Sequence, residues 1–189
     1  MFLVSLISDT IPTAPSEINL DVNAVLTSCI QAKYVNKVID QVGLVVGIYD
    51  ILRITDSIIL PADGRVHYKV NFRLIIFKPF LGEILDGTLI EANSSGMKVS
   101  LQFFQDIKLH PDAIRNPRGF DKEEERWWWE YEDHRLYYEL NQKIRFQVVE
   151  VLFPHNNSFA AGKQKSYEPP MIINASVEKD GLGMRSWWE

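Results

Sequence analysis

Ile58-Ile59-Leu60-Pro61-Ala62-Asp63-Gly64-Arg65-Val66-His67-Tyr68-Lys69-Val70-Asn71-Phe72-Arg73, followed by Leu74-Ile75-Ile76-Phe77-Lys78-Pro79-Phe80-Leu81-Gly82-Glu83, is the stretch that decides how this chain folds. Val66, Tyr68, Val70 and Phe72 alternate with His67, Lys69, Asn71 and Arg73, so an extended chain here has one apolar face and one polar, partly basic face. Before it, Leu60 to Arg65 combines Pro with Asp-Gly, a turn composition, and Gly43 to Ile59 is a second run rich in β-formers. The pattern predicts a hairpin in a half-buried sheet. Pro79 then ends the run, because proline cannot donate to a strand ladder and restricts the residue before it. A domain boundary is expected there, after residue 78.

Upstream, Met1 to Ile7 reads as a strand that the Pro12 and Pro15 region ends. From Asp21 to Val38, the residues Val22, Val25, Leu26, Cys29, Ile30 and Val38 fall mostly at helical spacing. Lys33 and Lys37 suit the negative end of a helix dipole. This predicts one helix, with Cys29 as a small hydrophobe on its buried stripe. Residues 1–78 thus form an α/β domain. Downstream, five short β-rich runs follow at even spacing: Glu83 to Ala92, Met97 to Phe104, Asp106 to His110, Lys143 to Phe153 and Met171 to Val177. Five short strands in about 100 residues predict a small closed barrel of the OB type over 79–189. An insertion at about 112–140 falls between the third and fourth strands, and a polar excursion runs from Pro154 to Pro170. The fold class is α+β.

Composition narrows the function. The 189 residues are 46% hydrophobic with a formal net charge of −5, enough apolar content for a packed core. A single cysteine and four dispersed histidines exclude a disulfide scaffold and a Cys/His zinc module, and suggest a reducing, intracellular setting. The apolar run Gln41 to Tyr49 is about half the ~20 residues a membrane helix needs, and no membrane partner is expected. The charge is local: Asp121 to Asp133 holds seven carboxylates against Lys122 and Arg126, and without this block the chain is neutral. The acidity therefore describes the insertion and not the rest of the surface.

Chemistry-bearing motifs are scarce. Gly181-Leu182-Gly183 has no helical pattern behind it and reads as a flexible turn rather than a phosphate loop. His134 beside Asp133 and Glu132 lies in the charged insertion, where a solvated face is the ordinary reading. No serine sits in a glycine-flanked nucleophile elbow, and neither an active site nor a cofactor is expected.

Certain motifs are far more specific. Leu60-Pro61 with Asp63-Gly64, then Lys69-Val70-x-Phe72-Arg73, then Phe77-Lys78-Pro79-Phe80-x-Gly82-Glu83 and Gly87, with a Met1-Phe2 start, closely resemble the larger subunit of the RNA polymerase stalk. That family comprises the seventh subunit of RNA polymerase II, its archaeal counterpart and the equivalent member in RNA polymerase III. Trp127-Trp128-Trp129-Glu130-Tyr131-Glu132 and the ending Gly181-Leu182-Gly183-Met184-Arg185-Ser186-Trp187-Trp188 resemble the RNA polymerase III member. The resemblance implies an N-terminal ribonucleoprotein-like domain that docks on the polymerase core, an S1-type OB barrel, a smaller helical stalk subunit as heterodimer partner, a role in transcription initiation, contact with nascent single-stranded RNA, and nuclear residence.

An OB barrel stacks unpaired bases on aromatic side chains while Lys and Arg meet phosphates. The RNA-contacting candidates are Lys98, Phe103, Phe104, Lys108, His110 and Arg145. Phe103 and Phe104 are adjacent, so in a strand they point to opposite faces and one belongs to the core. Lys98, Val99 and Ser100 occupy the second barrel strand where S1 domains carry an aromatic, which predicts weak RNA contact. By resemblance, Gly43 and the turn with Pro61, Asp63, Gly64 and Arg65 form the polymerase-docking tip. Trp127, Trp128, Trp129, Trp187 and Trp188 exceed what a small barrel hides, and some are expected to be buried by a partner or by the joint between domains. A free-standing S1-type RNA-binding regulator is the alternative, and it would require tight RNA binding by the isolated chain.

Overall fold

The computed structural model describes residues 1–60, 63–154 and 169–188. It forms two compact units, Met1–Lys78 and Pro79–Glu189. No described helix is long and apolar enough to cross a membrane.

In the first unit, β1 (Phe2–Thr13), β2 (Val38–Ile39), β3 (Gly43–Ile59) and β4 (Val66–Phe77) form an antiparallel sheet in the order β1-β4-β3-β2. α1 (Val22–Tyr34) packs on it. Alternation in β4 works as the sequence predicts, with Val70, Phe72, Leu74 and Ile76 fully buried against Leu26 and Ile30 of the helix. β1 runs past the expected end at Ile7 because it is an edge strand, where Pro12 can sit without breaking a central ladder. The helix stops at Tyr34, four residues before Val38. Val35 is extended, Asn36 is left-handed, and Lys37 Nζ donates to the terminal carbonyl of Lys33 at 2.7 Å. At the other end Asp21 caps, accepting from the N–H groups of Asn23 and Ala24. Cys29 sits half-buried at the rim of the core rather than inside it, and burial pushes its thiol pKa up.

The second unit is a closed five-stranded barrel. β5 (Ile84–Asn93), β6 (Gly96–Ser100) and β7 (Ile107–Leu109) form an antiparallel meander, and β11 (Lys143–Leu152) and β12 (Ile172–Ser176) close it. β5 pairs with both β6 and β11, β11 pairs with β12, and β12 runs parallel to β7, which is the OB connectivity. Ile144, Phe146 and Val148 point inward from β11, while Lys143, Arg145 and Gln147 alternate with them. Gly87 is required by close approach: a Cβ there would lie 2.5 Å from Val99 Cγ1 and 2.9 Å from Ser100 O.

Between β7 and β11 the acidic insertion folds into its own antiparallel sheet of β8 (Arg118–Asp121), β9 (Arg126–Tyr131) and β10 (His134–Tyr137). The acidic residues collect in its turns: Lys122 to Glu125 link β8 to β9, and Glu132 and Asp133, both left-handed, link β9 to β10. β13 (Gly183–Met184) pairs with β11, so the segment read as a flexible turn extends the barrel sheet instead. Gly183, at φ 112°, lies beneath the Trp187 ring, where a Cβ would come within 2.6 Å of it. Most of the polar excursion from Pro154 to Pro170 lies outside the described residues, as does Pro61.

Candidate nucleic-acid interface

The outer surface of β6 and β7 carries Lys98 and Lys108, whose neighbours Met97, Val99, Ile107 and Leu109 are turned into the core. Lys98 and Lys108 are direct cross-strand partners, a like-charge pairing that costs free energy unless an anion is near. Asp106 supplies one, with its Oδ1 3.5 Å from Lys98 Nζ. A groove of about 540 Å³ runs along this surface, lined by Lys98, Lys108 and His110 together with Glu91 and Asp106. Gly96, also in the lining and at φ 139°, has to be glycine, because a Cβ would meet the Leu109 carbonyl at 2.3 Å. Three of the six RNA-contacting candidates are thus brought together, in a site whose two carboxylates offset its two lysines.

The other three lie apart from that groove. β6 ends at Ser100, not at Phe104, because Gln102 takes a left-handed conformation and its N–H turns back to Ser100 Oγ at 3.1 Å. Phe103 and Phe104 therefore sit in a loop. Phe104 is buried and Phe103 is 47% exposed, so one ring does join the core, through a turn rather than through strand alternation. Arg145 is on β11, across β5 from the groove, and donates to Asp86 Oδ1 at 2.9 Å. That hydrogen bond holds the guanidinium pKa above its ordinary value.

A second groove, of about 480 Å³, lies at the start of β11 and is lined by Asn141, Gln142, Lys143, Arg185 and Ser186. Among the described residues its lining contains no carboxylate. Sequence reading singled out Arg145 and passed over Lys143, although the same alternation turns both outward.

The docking candidates separate. Leu44 at the start of β3 pairs with Phe77, and Ile59 at its end pairs with Val66, so the length of β4, ~35 Å, lies between the two ends. Gly43 is at one end and Asp63, Gly64 and Arg65 at the other; they do not form one tip. Gly43, at φ 134°, has no room for a side chain: a Cβ there would lie 2.5 Å from Phe77 O and 2.8 Å from Ile76 Cγ2. At the far end Asp63 accepts from Arg65 Nε at 2.7 Å and pairs with His67 Nε2 at 2.9 Å, and these bonds hold its carboxyl below the usual range.

The tryptophans also divide. Trp127 and Trp129 are buried by this chain's own residues: Trp127 Nε1 donates to Asn93 O at 2.8 Å, and Trp129 packs on Trp187 with ring centroids 5.6 Å apart. Trp187 in turn meets Tyr138 edge-on at 4.8 Å. Trp128 lies on the opposite face of the insertion, flat on Gly119 and under the Arg135 guanidinium. Trp188 is half exposed. Trp128 and Trp188 are thus the two rings outside the packing that seats the insertion on the barrel.

The comparisons with known proteins bear on the whole chain. Residues 83–188 match the family model described as RNA polymerase III subunit Rpc25, and residues 8–64 match that of the SHS2 domain found in the N terminus of Rpb7p and Rpc25p. The chain belongs to the Rpc25 family of RNA polymerase III subunits. It is 36% identical to the DNA-directed RNA polymerase III subunit rpc8 of Schizosaccharomyces pombe, over all of both chains. It is 35% identical to subunit RPC8 of Bos taurus, over all of this chain and 98% of that one. Similarity to the RNA polymerase II subunit RPB7 of Saccharomyces cerevisiae, at 33%, spans only 41% of this chain and 50% of that subunit. The Rpc25 match includes the tryptophan cluster and the C-terminal segment, the two stretches that pointed to the polymerase III member. The ribonucleoprotein-like first unit takes the more specific description of an SHS2 domain, and the second unit is the OB-like barrel.

Proposed function

We propose that this Rpc25-family chain is a non-catalytic stalk subunit of RNA polymerase III that resides in the nucleus. In this reading it docks on the polymerase core, pairs with a smaller helical subunit and supports initiation while weakly contacting nascent single-stranded RNA. The observation that carries this reading is likeness over the full chain to RNA polymerase III subunits. The partner is supported by the shape of the first unit. β1 is a long edge strand whose Leu3, Val4 and Leu6 remain exposed, a surface that soluble chains cover by pairing. Docking is assigned to the Asp63–Arg65 end of β3, where Ile58, Ile59 and Leu60 are exposed beside the turn. The balance of Lys98 and Lys108 against Glu91 and Asp106 supports weak RNA contact.

Affinity purification of the tagged chain from nuclear extract tests the reading. Polymerase III subunits and one small helical protein are expected in near-equal amounts. Recovery of the chain without any polymerase subunit, together with tight RNA binding by the isolated chain, would make it a free-standing regulator.

A further inference from the structure

We propose that the groove at the start of β11 is a phosphate subsite for single-stranded RNA, with Lys143 and Arg185 as its cations and Gln142, Asn141 and Ser186 as its neutral hydrogen-bonding groups. The inference rests on the RNA-contact reading given above and adds a second, separately built position to it. This groove and the one at Lys98 differ in kind. Lys98 and Lys108 face Glu91 and Asp106, whereas Lys143 and Arg185 share a lining that contains no carboxylate among the described residues. The nearby acid on the neighbouring strand is Asp86. It is engaged by Arg145 at 2.9 Å and lies 4.0 Å from Arg185 Nη1, so Arg145 and Lys143 outnumber it without counting Arg185. In a chain of net charge −5, such a local excess of positive charge selects an anion.

The anion is assigned to RNA rather than to a phosphorylated protein because the groove continues the same outer sheet surface. Lys143 pairs with Thr88, and Thr88 with Ser100, two residues along β6 from Lys98. Two strand spacings and two residues place Lys143 roughly 12 Å from Lys98, within the several-nucleotide span that one OB fold covers. A strand entering at Lys98 and His110 and crossing β5 therefore arrives at Lys143 with its backbone against the stretch where positive charge is in excess. The pocket holds a phosphate without reading a base, since among the described residues its lining has no aromatic ring for stacking.

The test measures the salt dependence of oligouridylate binding by the full chain in its heterodimer. Each lost phosphate contact lowers the slope of log K against log salt by about 0.7. Lys143→Gln, a change at an exposed side chain, is expected to lower the slope by about 0.7, and adding Arg185→Gln by about 1.4 in all. Lys98→Gln in the other groove should lower it independently. If the parent binds and Lys98→Gln weakens it while Lys143→Gln and the double variant keep the parental slope, the subsite is wrong and the RNA reading survives. If the parent does not bind oligouridylate at all, both fall. If the double variant loses binding to a phosphoserine peptide and retains it to RNA, the pocket takes a protein ligand and the proposal is overturned.

Discussion

The two units meet the demands of a β-sheet in opposite ways. The barrel unit leaves none of its five barrel strands at an edge, and seats a tryptophan-rich sheet on itself by way of Trp127, Trp129 and Trp187. The first unit is an open four-stranded sheet with one helix on it, and its β1 edge exposes Leu3, Val4 and Leu6. The difference lies in the backbone: closure satisfies the strand ladders of one unit internally, while the other keeps a long edge strand whose N–H and C=O groups and apolar side chains are open to pairing, although both units expose single apolar side chains. Three of the five tryptophans that suggest a partner for the C-terminal half, Trp127, Trp129 and Trp187, serve that half's own packing, and Trp128 and Trp188 stay outside it.

The largest expected effect breaks the closed side of this contrast. Trp129→Ala removes a ring buried against Trp187 and should destabilise the chain by about 3–5 kcal/mol, read by denaturant unfolding. A loss under about 1 kcal/mol would mean that the insertion is not seated by that ring. Gly87→Ala sharpens the barrel half. Its Cβ would press on Val99 Cγ1 and the Ser100 carbonyl, at a cost of about 1–3 kcal/mol in thermal unfolding.

Leu6→Gln tests the open side. Leu6 is 65% exposed, so unfolding of the isolated chain should shift by less than about 0.5 kcal/mol. Binding to the smaller subunit should weaken about tenfold in a titration. A large loss of stability with unchanged partner binding would reverse the assignment.

The smallest effect concerns how the first unit holds its helix. Burial alone would raise the Asp9 carboxyl pKa. Hydrogen bonds from Lys33 Nζ and Tyr34 Oη, both 2.5 Å, one from the Thr10 N–H and the charge of Lys33 hold it below the ordinary value instead. A depressed folded pKa contributes stability above the unfolded pKa of about 3.9, and that contribution is lost as pH falls through the folded value. Asp9→Asn should therefore lower stability modestly at neutral pH and flatten the acid limb of stability against pH. An unchanged acid limb would remove Asp9 from that role.

Much of the architecture was legible because it is written in local periodicity. The alternation of Val66, Val70 and Phe72, the turn at Asp63-Gly64 and the break at Pro79 each depend on near neighbours. Boundaries failed where a side chain's place in the sheet decides: β1 tolerates Pro12 only as an edge, and β6 ends before Gln102 only because the loop returns to Ser100. The candidate site was legible in part. Lys98, Lys108 and His110 meet in one groove, but their carboxylate neighbours, the separation of Gly43 from Asp63 and the groove at Lys143 and Arg185 depend on register between distant strands.

The family, the α+β class and the five-strand barrel pattern followed from the sequence, because periodicity and motif spacing survive in one dimension. Whether an acidic residue cancels a lysine, and whether a tryptophan is turned inward or outward, was decided by tertiary structure alone. Both depend on which strands become neighbours, and Coulomb forces and packing act across those few ångströms without regard to separation along the chain.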